Sequence, residues 1–180
     1  IIEGVSVTGV LQQQNKVSGV TTNKGDITAE VVVNCGGMWG RQLGKQAGVN
    51  IPLQAAEHYY LITEDLLDMP RDMPVLEDPS SYGYYRQEGG GLMIGLFEPL
   101  CAPWKVEGIP EDFSFGEIEP DWDRMTPFLE RAMSRVPVTK NLGIRKFFCG
   151  PESFTPDLSP IVGEAPELKN YFVAAGLNSI

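Results

Sequence analysis

The sequence predicts a mixed α/β (α+β) fold in more than one part, and three observations predict it. Short strand-like runs separated by turn signals fill most of the chain. Glycine (20 residues) and proline (14) are frequent among 180 residues, which favours short elements joined by tight turns over a helical bundle. An unbroken apolar run, Val31-Val32-Val33, leads through Gly36-Gly37 into a helix-period pattern, the order of a strand–turn–helix unit. Hydrophobic residues make up 42% of the chain, enough for a packed core.

Taken in order, residues 1–11 read as a first strand with Val5, Val7 and Val10 as apolar positions, and residues 17–22 as a second. Asn23-Lys24-Gly25-Asp26 is a turn signal, and residues 27–34 read as a third strand, its apolar run suited to burial on both faces. Trp39, Leu43 and Ala47 recur at helical spacing, and Gly48 is placed to end that helix. Residues 57–63 form a strand rich in aromatic and β-branched types. Residues 82–86 and 92–97 flank Gly89-Gly90-Gly91, a hairpin signal. Pro120 is expected as the first residue of a helix with Trp122, Met125, Leu129, Ala132, Met133 and Val136 on its apolar face, ended by Pro137. A strand over residues 143–149, a proline-rich loop over 151–160 and a last strand over 171–175 complete the pattern. Residues 27–34 and 171–175, both apolar strands ending in glycine, are expected to be neighbours in one sheet. The chain opens inside a strand pattern and stops just after a strand-to-turn signal, so a piece of a longer protein is expected.

Charge is unevenly spread. The net charge is −10, and residues 51–140 hold the whole excess, with seventeen acidic and seven basic side chains. That balance argues against a nucleic-acid partner. It marks the middle either as a different domain or as an acidic solvated surface. Three cysteines, Cys35, Cys101 and Cys149, form no CxxC pair, which favours a reducing compartment over a disulfide framework. A single histidine, His58, makes a histidine-based metal site a poor expectation, and none is assigned. No apolar run approaches the roughly 20 residues of a membrane span.

Two segments carry chemistry. The first is Asn34-Cys35-Gly36-Gly37-Met38-Trp39, where a buried strand passes through two glycines into a helix. Such glycines allow close approach of a ligand, and a helix start offers free N–H groups, although a plain tight turn is the commoner use of Gly-Gly after a strand; no GxGxxG is present. The second is the rigid stretch from Cys149 to Leu168, which feeds Tyr171-Phe172-Val173-Ala174-Ala175-Gly176. The N-C-G-G-x-W turn, the T-P-D-x-x-P-I-V-G loop and the Y-F-V-A-A-G strand resemble the C-terminal signatures of the D-amino-acid-oxidase-like flavoproteins. The longer C-G-P-E-S-F-T-P-D…G-E-A-P-E-L string, V-P-V at 136–138 and Y-Y-R-Q-E-G at 84–89 resemble the sarcosine and dimethylglycine dehydrogenases.

That resemblance implies the C-terminal part of a two-domain FAD-dependent oxidoreductase. Residues 1–48 would end the first FAD-binding block, 49–141 would form a mixed-sheet substrate domain, and 142–180 would return to the FAD-binding domain. It implies oxidation of the N-methyl group of sarcosine or dimethylglycine by hydride transfer to FAD. Electrons would pass to an electron-transfer flavoprotein or oxygen, and tetrahydrofolate is a further cofactor expected of a full-length relative. Any covalent flavin attachment would lie outside these residues, and the 180 residues alone would be inactive. A mitochondrial matrix protein is implied if the source is eukaryotic, a cytoplasmic one if bacterial. A regulatory protein similar to the pyruvate dehydrogenase phosphatase regulatory subunit is the alternative, since its P-E-x-F-T-P-D loop is close to residues 151–157.

The candidate site residues follow. His58 and Tyr60 lie two apart on one strand, and Tyr82, Tyr84 and Arg86 alternate on another, so each set points to one face. Arg86 and Tyr60 suit a substrate carboxylate and its surroundings, because a guanidinium can hold a carboxylate through two parallel hydrogen bonds. The resemblance makes His58 and Tyr84 the catalytic pair. Taken alone, His58 fits a half-buried structural imidazole and the tyrosines fit sheet packing better than a site, while Arg86 fits a surface ion pair as well as it fits a site. For the cofactor, the resemblance points to Cys35, Gly36, Gly37, Trp39, Pro160, Ile161, Gly163, Gly176, Leu177, Asn178 and Ser179. Asp157 reads as a turn residue, and Cys35 and Cys149 as small buried fillers.

Overall fold

The computed structural model describes residues 1–179 and divides the chain into two compact units. The first comprises residues 1–56, 103–113 and 152–180; the second comprises residues 57–102 and 114–151. The C-terminal Ile180 lies outside the described residues.

The first unit opens with β1 (Val7–Gln13) and β2 (Lys16–Thr22), an antiparallel pair, to which β3 (Ile27–Thr28) is added through Gly19 and Val20. The opening strand begins at Val7, six residues later than its apolar pattern suggested. A second sheet has the order β10-β11-β4, from β4 (Val32–Asn34), β10 (Ile161–Glu164) and β11 (Tyr171–Ala175). β4 runs parallel to β11, pairing Val32 with Tyr171 and Asn34 with Val173, as expected of residues 27–34 and 171–175. The expected single strand over 27–34 is nevertheless two. At Ala29 the chain still bonds back to Ser18, and at Val32 it bonds to Asn170, so residues 29–31 carry it from one sheet to the other. Nor is it buried on both faces: Val31 and Val33 are about half exposed. A 3-10 turn (Gly37–Trp39) leads into helix α1 (Gly40–Gln46), and Gly48 follows with φ +76, a left-handed conformation suited to glycine past a helix end. Val17, Ala47, Val49, Ile51, Leu53, Leu168, Tyr171, Val173 and Ala175 form the core of this unit.

The second unit is a five-stranded sheet in the order β6-β7-β8-β5-β9. Its strands are β5 (Gln54–Thr63), β6 (Leu76–Asp78), β7 (Gly83–Glu88), β8 (Gly91–Leu96) and β9 (Ile144–Phe154). β7 and β8 form the expected hairpin. Its loop is Gly89-Gly90, both at positive φ (+55 and +91), the backbone a two-residue hairpin turn demands. One face is covered by helix α2 (Trp122–Arg135), whose Met125, Leu129 and Ala132 pack on Tyr59, Leu61, Tyr85, Ile94, Leu96 and Cys149. Burying a side chain of this size contributes roughly 1.5–3 kcal/mol, so this layer dominates the unit's stability.

Three expectations are corrected here. Helix α2 starts at Trp122 with Asp121 as its N-cap, its carboxylate accepting from the Arg124 N–H; Pro120 lies before the cap, and Trp122 is 46% exposed rather than part of the buried face. Residues 151–154, read as the start of a loop, continue β9, and the turn begins only after Thr155. Tyr82 has φ +58 and caps a 3-10 turn, so it does not alternate with Tyr84. Its ring instead meets Phe128 of α2 edge-on at 5.7 Å and carries the Arg131 guanidinium at 4.7 Å.

Candidate functional site

Strand alternation sorts the second unit's sheet into a helix-covered face and an opposite face. Tyr59, Leu61 and Tyr85 turn toward α2, so His58, Tyr60, Tyr84 and Arg86 belong to the opposite face. Tyr60 is in register with Gly95 of β8, and Gly95 with Tyr84 of β7, which makes one cross-strand row of the three. Tyr60 stacks on Phe148 at 4.6 Å, and Tyr84 meets Phe97 at 4.9 Å. His58 is half-buried two residues before Tyr60. Arg86 is in register with Met93, and its guanidinium pairs with Glu88 at 2.7 Å, with both side chains well exposed.

Sequence reasoning missed four residues of this face. Phe97 and Gly95 follow from alternation along β8, and Phe148 and Lys146 from alternation along β9, once the strands are known. Lys146 lies over the Phe148 ring at 5.2 Å and pairs with Glu117 at 2.7 Å, a hydrogen bond that holds its ammonium above the usual lysine range.

A polar cluster sits at one end of the covered face. The Tyr59 hydroxyl donates to Glu57 (2.8 Å) and accepts from Arg124 (3.0 Å) and from the Asp121 N–H (3.2 Å). Arg124 also pairs closely with Glu57 and donates to the Leu100 carbonyl at 3.3 Å. Burial pushes the Tyr59 phenol far above its ordinary range. Nearby, Glu98 is 6% exposed, and its Oε2 is buried with no hydrogen-bond partner among the described residues. Burial pushes this carboxyl up to about 7. Cys101 and Cys149 are each pushed up to about 11, again chiefly by burial.

In the first unit the candidate cofactor residues gather at one end of the β10-β11-β4 sheet. β4 and β11 are adjacent and parallel, so the turns that leave them, Cys35-Gly36-Gly37 and Gly176-Leu177-Asn178, emerge side by side. Ile161 is in register with Ala175, which brings Pro160 and Ile161 to the same end. Ligands of open α/β sheets bind beyond the carboxyl ends of parallel strands. Gly37 (φ +53) and Gly163 (φ +155) have no atom within 4 Å of where a Cβ would stand, so backbone is open to close approach there. Gly163 itself lies further along β10, opposite Val173, and Trp39 is half-buried at the end of the 3-10 turn.

Two asparagines hold these turns. Buried Asn34 accepts from the Gly36 N–H and donates to the Gly40 carbonyl and the Tyr171 hydroxyl. Asn178 is 8% exposed; its Oδ1 accepts from both the N–H (2.8 Å) and the hydroxyl (3.1 Å) of Thr155, and its amide donates to the Gly176 carbonyl. The Asn178 side chain thus fastens the T-P-D loop to the turn after β11, and Ser179 follows half-buried. Leu177 is 54% exposed. Cys35, read as a buried filler, is exposed at the strand exit, because Asn34 takes the inward position; Cys149 is buried as expected. These open, glycine-containing turns fit the polar backbone of a flavin cofactor. Among the described residues no group of three or more His, Cys, Asp or Glu side chains could hold a metal ion, and no helix is long and apolar enough to cross a membrane.

Several known proteins are similar to this chain. Mouse mitochondrial sarcosine dehydrogenase is 40% identical over 99% of this chain, which covers 20% of that protein. Rat mitochondrial dimethylglycine dehydrogenase is 35% identical over 94% of the chain and 21% of its own length. The mouse mitochondrial pyruvate dehydrogenase phosphatase regulatory subunit is 38% identical over 99% of the chain and 21% of its length. Among solved structures, L-proline dehydrogenase from P. horikoshii superposes with a TM-score of 0.76 at 26% identity, over 98% of this chain and 45% of that one. The chain therefore spans about one-fifth of the length of these curated relatives. The family described as FAD dependent oxidoreductase matches residues 1–179, and the chain belongs to that family.

Proposed function

We propose that the protein containing this chain oxidises the N-methyl group of a small N-methylated amino acid, sarcosine or dimethylglycine. The observation that carries this reading is the open-face row Tyr60–Gly95–Tyr84, with His58 and Arg86 on the same face. It offers one imidazole, two phenols and a guanidinium to a small zwitterion. When bound, FAD would accept the hydride that leaves the N-methyl carbon. Loss of that hydride turns the C–N bond into an iminium, which water splits to formaldehyde and the demethylated amine, or whose carbon tetrahydrofolate captures. This chain's residues would do the rest. Arg86, released from Glu88, binds the substrate carboxylate by two parallel hydrogen bonds. His58, with Tyr84, takes the ammonium proton, because only the neutral amine can release a hydride. Tyr60, braced on Phe148, walls the substrate.

On this reading the first unit is the FAD-binding side and the second unit the substrate side, so that most of β9, expected within the return segment 142–180, goes with the substrate side. Cys35, Gly36, Gly37, Trp39, Pro160, Ile161, Gly163, Gly176, Leu177, Asn178 and Ser179 line the cofactor, and electrons leave to an electron-transfer flavoprotein or to oxygen. The similarity to the phosphatase regulatory subunit supports a second, non-catalytic reading. Anaerobic mixing of the full-length protein with sarcosine or dimethylglycine separates them. Bleaching of the flavin band near roughly 450 nm is expected of the enzyme. A full-length protein without flavin, or with flavin that neither amine reduces, would overturn the first reading.

A further inference from the structure

Gly95 stands in the middle of β8 between two tyrosines, and the space above it is filled. A Cβ built at position 95 would fall within the Tyr84 side chain, whose Cζ, Cε1 and Oη are its three nearest atoms. Tyr84 therefore does not stand upright on β7. Its ring leans across the neighbouring strand and lies against the backbone of residue 95. Neighbouring strands are about 4.8 Å apart, so this carries the hydroxyl a full strand toward β5, where Tyr60 and His58 are. Phe97, two residues further on, meets the leaning ring at 4.9 Å and supports it.

We propose that Gly95 is a positioning residue: the absence of a side chain there places the Tyr84 hydroxyl over β8, the central strand of the sheet, instead of over β7. Glycine inside a strand weakens it and often marks a close approach to the backbone. Here the approaching group is a side chain of the same face. Alanine at 95 pushes the ring upright or aside, because the atoms it meets are ring atoms and not the loose end of a flexible chain. The inference rests on the proposed role of Tyr84 only where activity is the readout; the packing relation stands apart from it.

The test is a double-mutant cycle in the full-length flavoprotein with Gly95→Ala, Tyr84→Phe, Tyr84→Ala and the Gly95→Ala doubles. Anaerobic flavin reduction by saturating sarcosine should slow in Gly95→Ala by about 10²-fold, the same factor as in Tyr84→Phe, with the same limb of the pH profile lost in both. Gly95→Ala should slow Tyr84→Phe no further. Thermal unfolding supplies the readout free of chemistry: Gly95→Ala should lower Tm in the otherwise unaltered protein and leave it unchanged in the Tyr84→Ala background. Normal reduction by Gly95→Ala beside a slowed Tyr84→Phe, or an equal Tm loss in both backgrounds, overturns the proposal. Should Gly95→Ala fail to fold, the Tyr84→Ala double decides: a folded double supports the proposal and an unfolded one refutes it. If Tyr84→Phe reduces normally, the catalytic role of Tyr84 is wrong, and the Tm cycle alone judges the positioning.

Discussion

Replacing Glu98 with glutamine should change how stability depends on pH. Glu98 is buried with one oxygen unpartnered, and its charge is felt by groups of several elements: Glu57 of β5 and Cys149 of β9, the thiol of Cys101 at 3.9 Å, and Arg124 of α2. Burial outweighs the attraction of Arg124 and lifts the carboxyl from 4.5 to about 7. The folded state therefore keeps its proton where the unfolded chain has lost it. Below about pH 4.5 both states are protonated, and the contribution is fully present. Between 4.5 and 7 the unfolded chain ionises alone, so stability falls by about 1.4 kcal/mol per pH unit. Above 7 the loss is complete, and the distance from 4.5 to about 7 sets it at about 3 kcal/mol. Glutamine keeps the shape and removes the proton. Urea unfolding of both proteins from pH 4.5 to 8.5 should give curves that diverge by that amount, with Glu98→Gln the more stable at high pH. Parallel curves would falsify the argument, since Glu98 would then ionise as freely folded as unfolded.

Three further outcomes are expected. Cys35 is exposed, whereas burial raises Cys101 and Cys149 to about 11; a thiol reagent at pH 8 should modify one cysteine rapidly in the native protein and the other two only on unfolding. Tyr59→Phe removes a hydroxyl bonded to Glu57, Arg124 and the Asp121 N–H, and should cost about 1.5–3 kcal/mol by chemical denaturation; a loss near zero would mean that water replaces those bonds. In the full-length enzyme Arg86→Lys should weaken substrate binding roughly tenfold to a hundredfold, and His58→Ala should slow flavin reduction about 10²–10⁴-fold with an altered pH profile. Stopped-flow reduction across pH resolves the two, and unchanged behaviour of both variants would make them structural.

Local rules were legible where one interaction decides the backbone. Gly89-Gly90 gave the hairpin because both residues need positive φ, and residues 171–175 gave β11 at its true bounds. The strand exits were legible for a similar reason, since glycine after an apolar run has few other uses. What failed depended on partners distant in sequence. Residues 27–34 look continuous, but Ser18 claims one end and Asn170 the other. Tyr82 looks like part of an alternating strand, but the turn from Pro79 leaves it left-handed and facing α2. Phe97 and Phe148 carry no polar signal to single them out, although the face opposite α2 depends on them. The buried acid at Glu98 was invisible, since an isolated glutamate in an acidic segment reads as solvated surface.

The parallel pairing of β4 with β11 also dictates an order of events during synthesis. Asn34 must wait for Tyr171, 137 residues later, before its amide finds that hydroxyl. Until then the Val31–Val33 stretch leaves the ribosome with no partner on that edge, and an unpaired apolar strand is a template for wrong pairings. The second unit has its hairpin, helix and five strands complete by Phe154, the end of β9. It can therefore fold while the first unit is still open. Premature termination anywhere between residues 154 and 171 should then yield a product with one ordered half and one sticky edge.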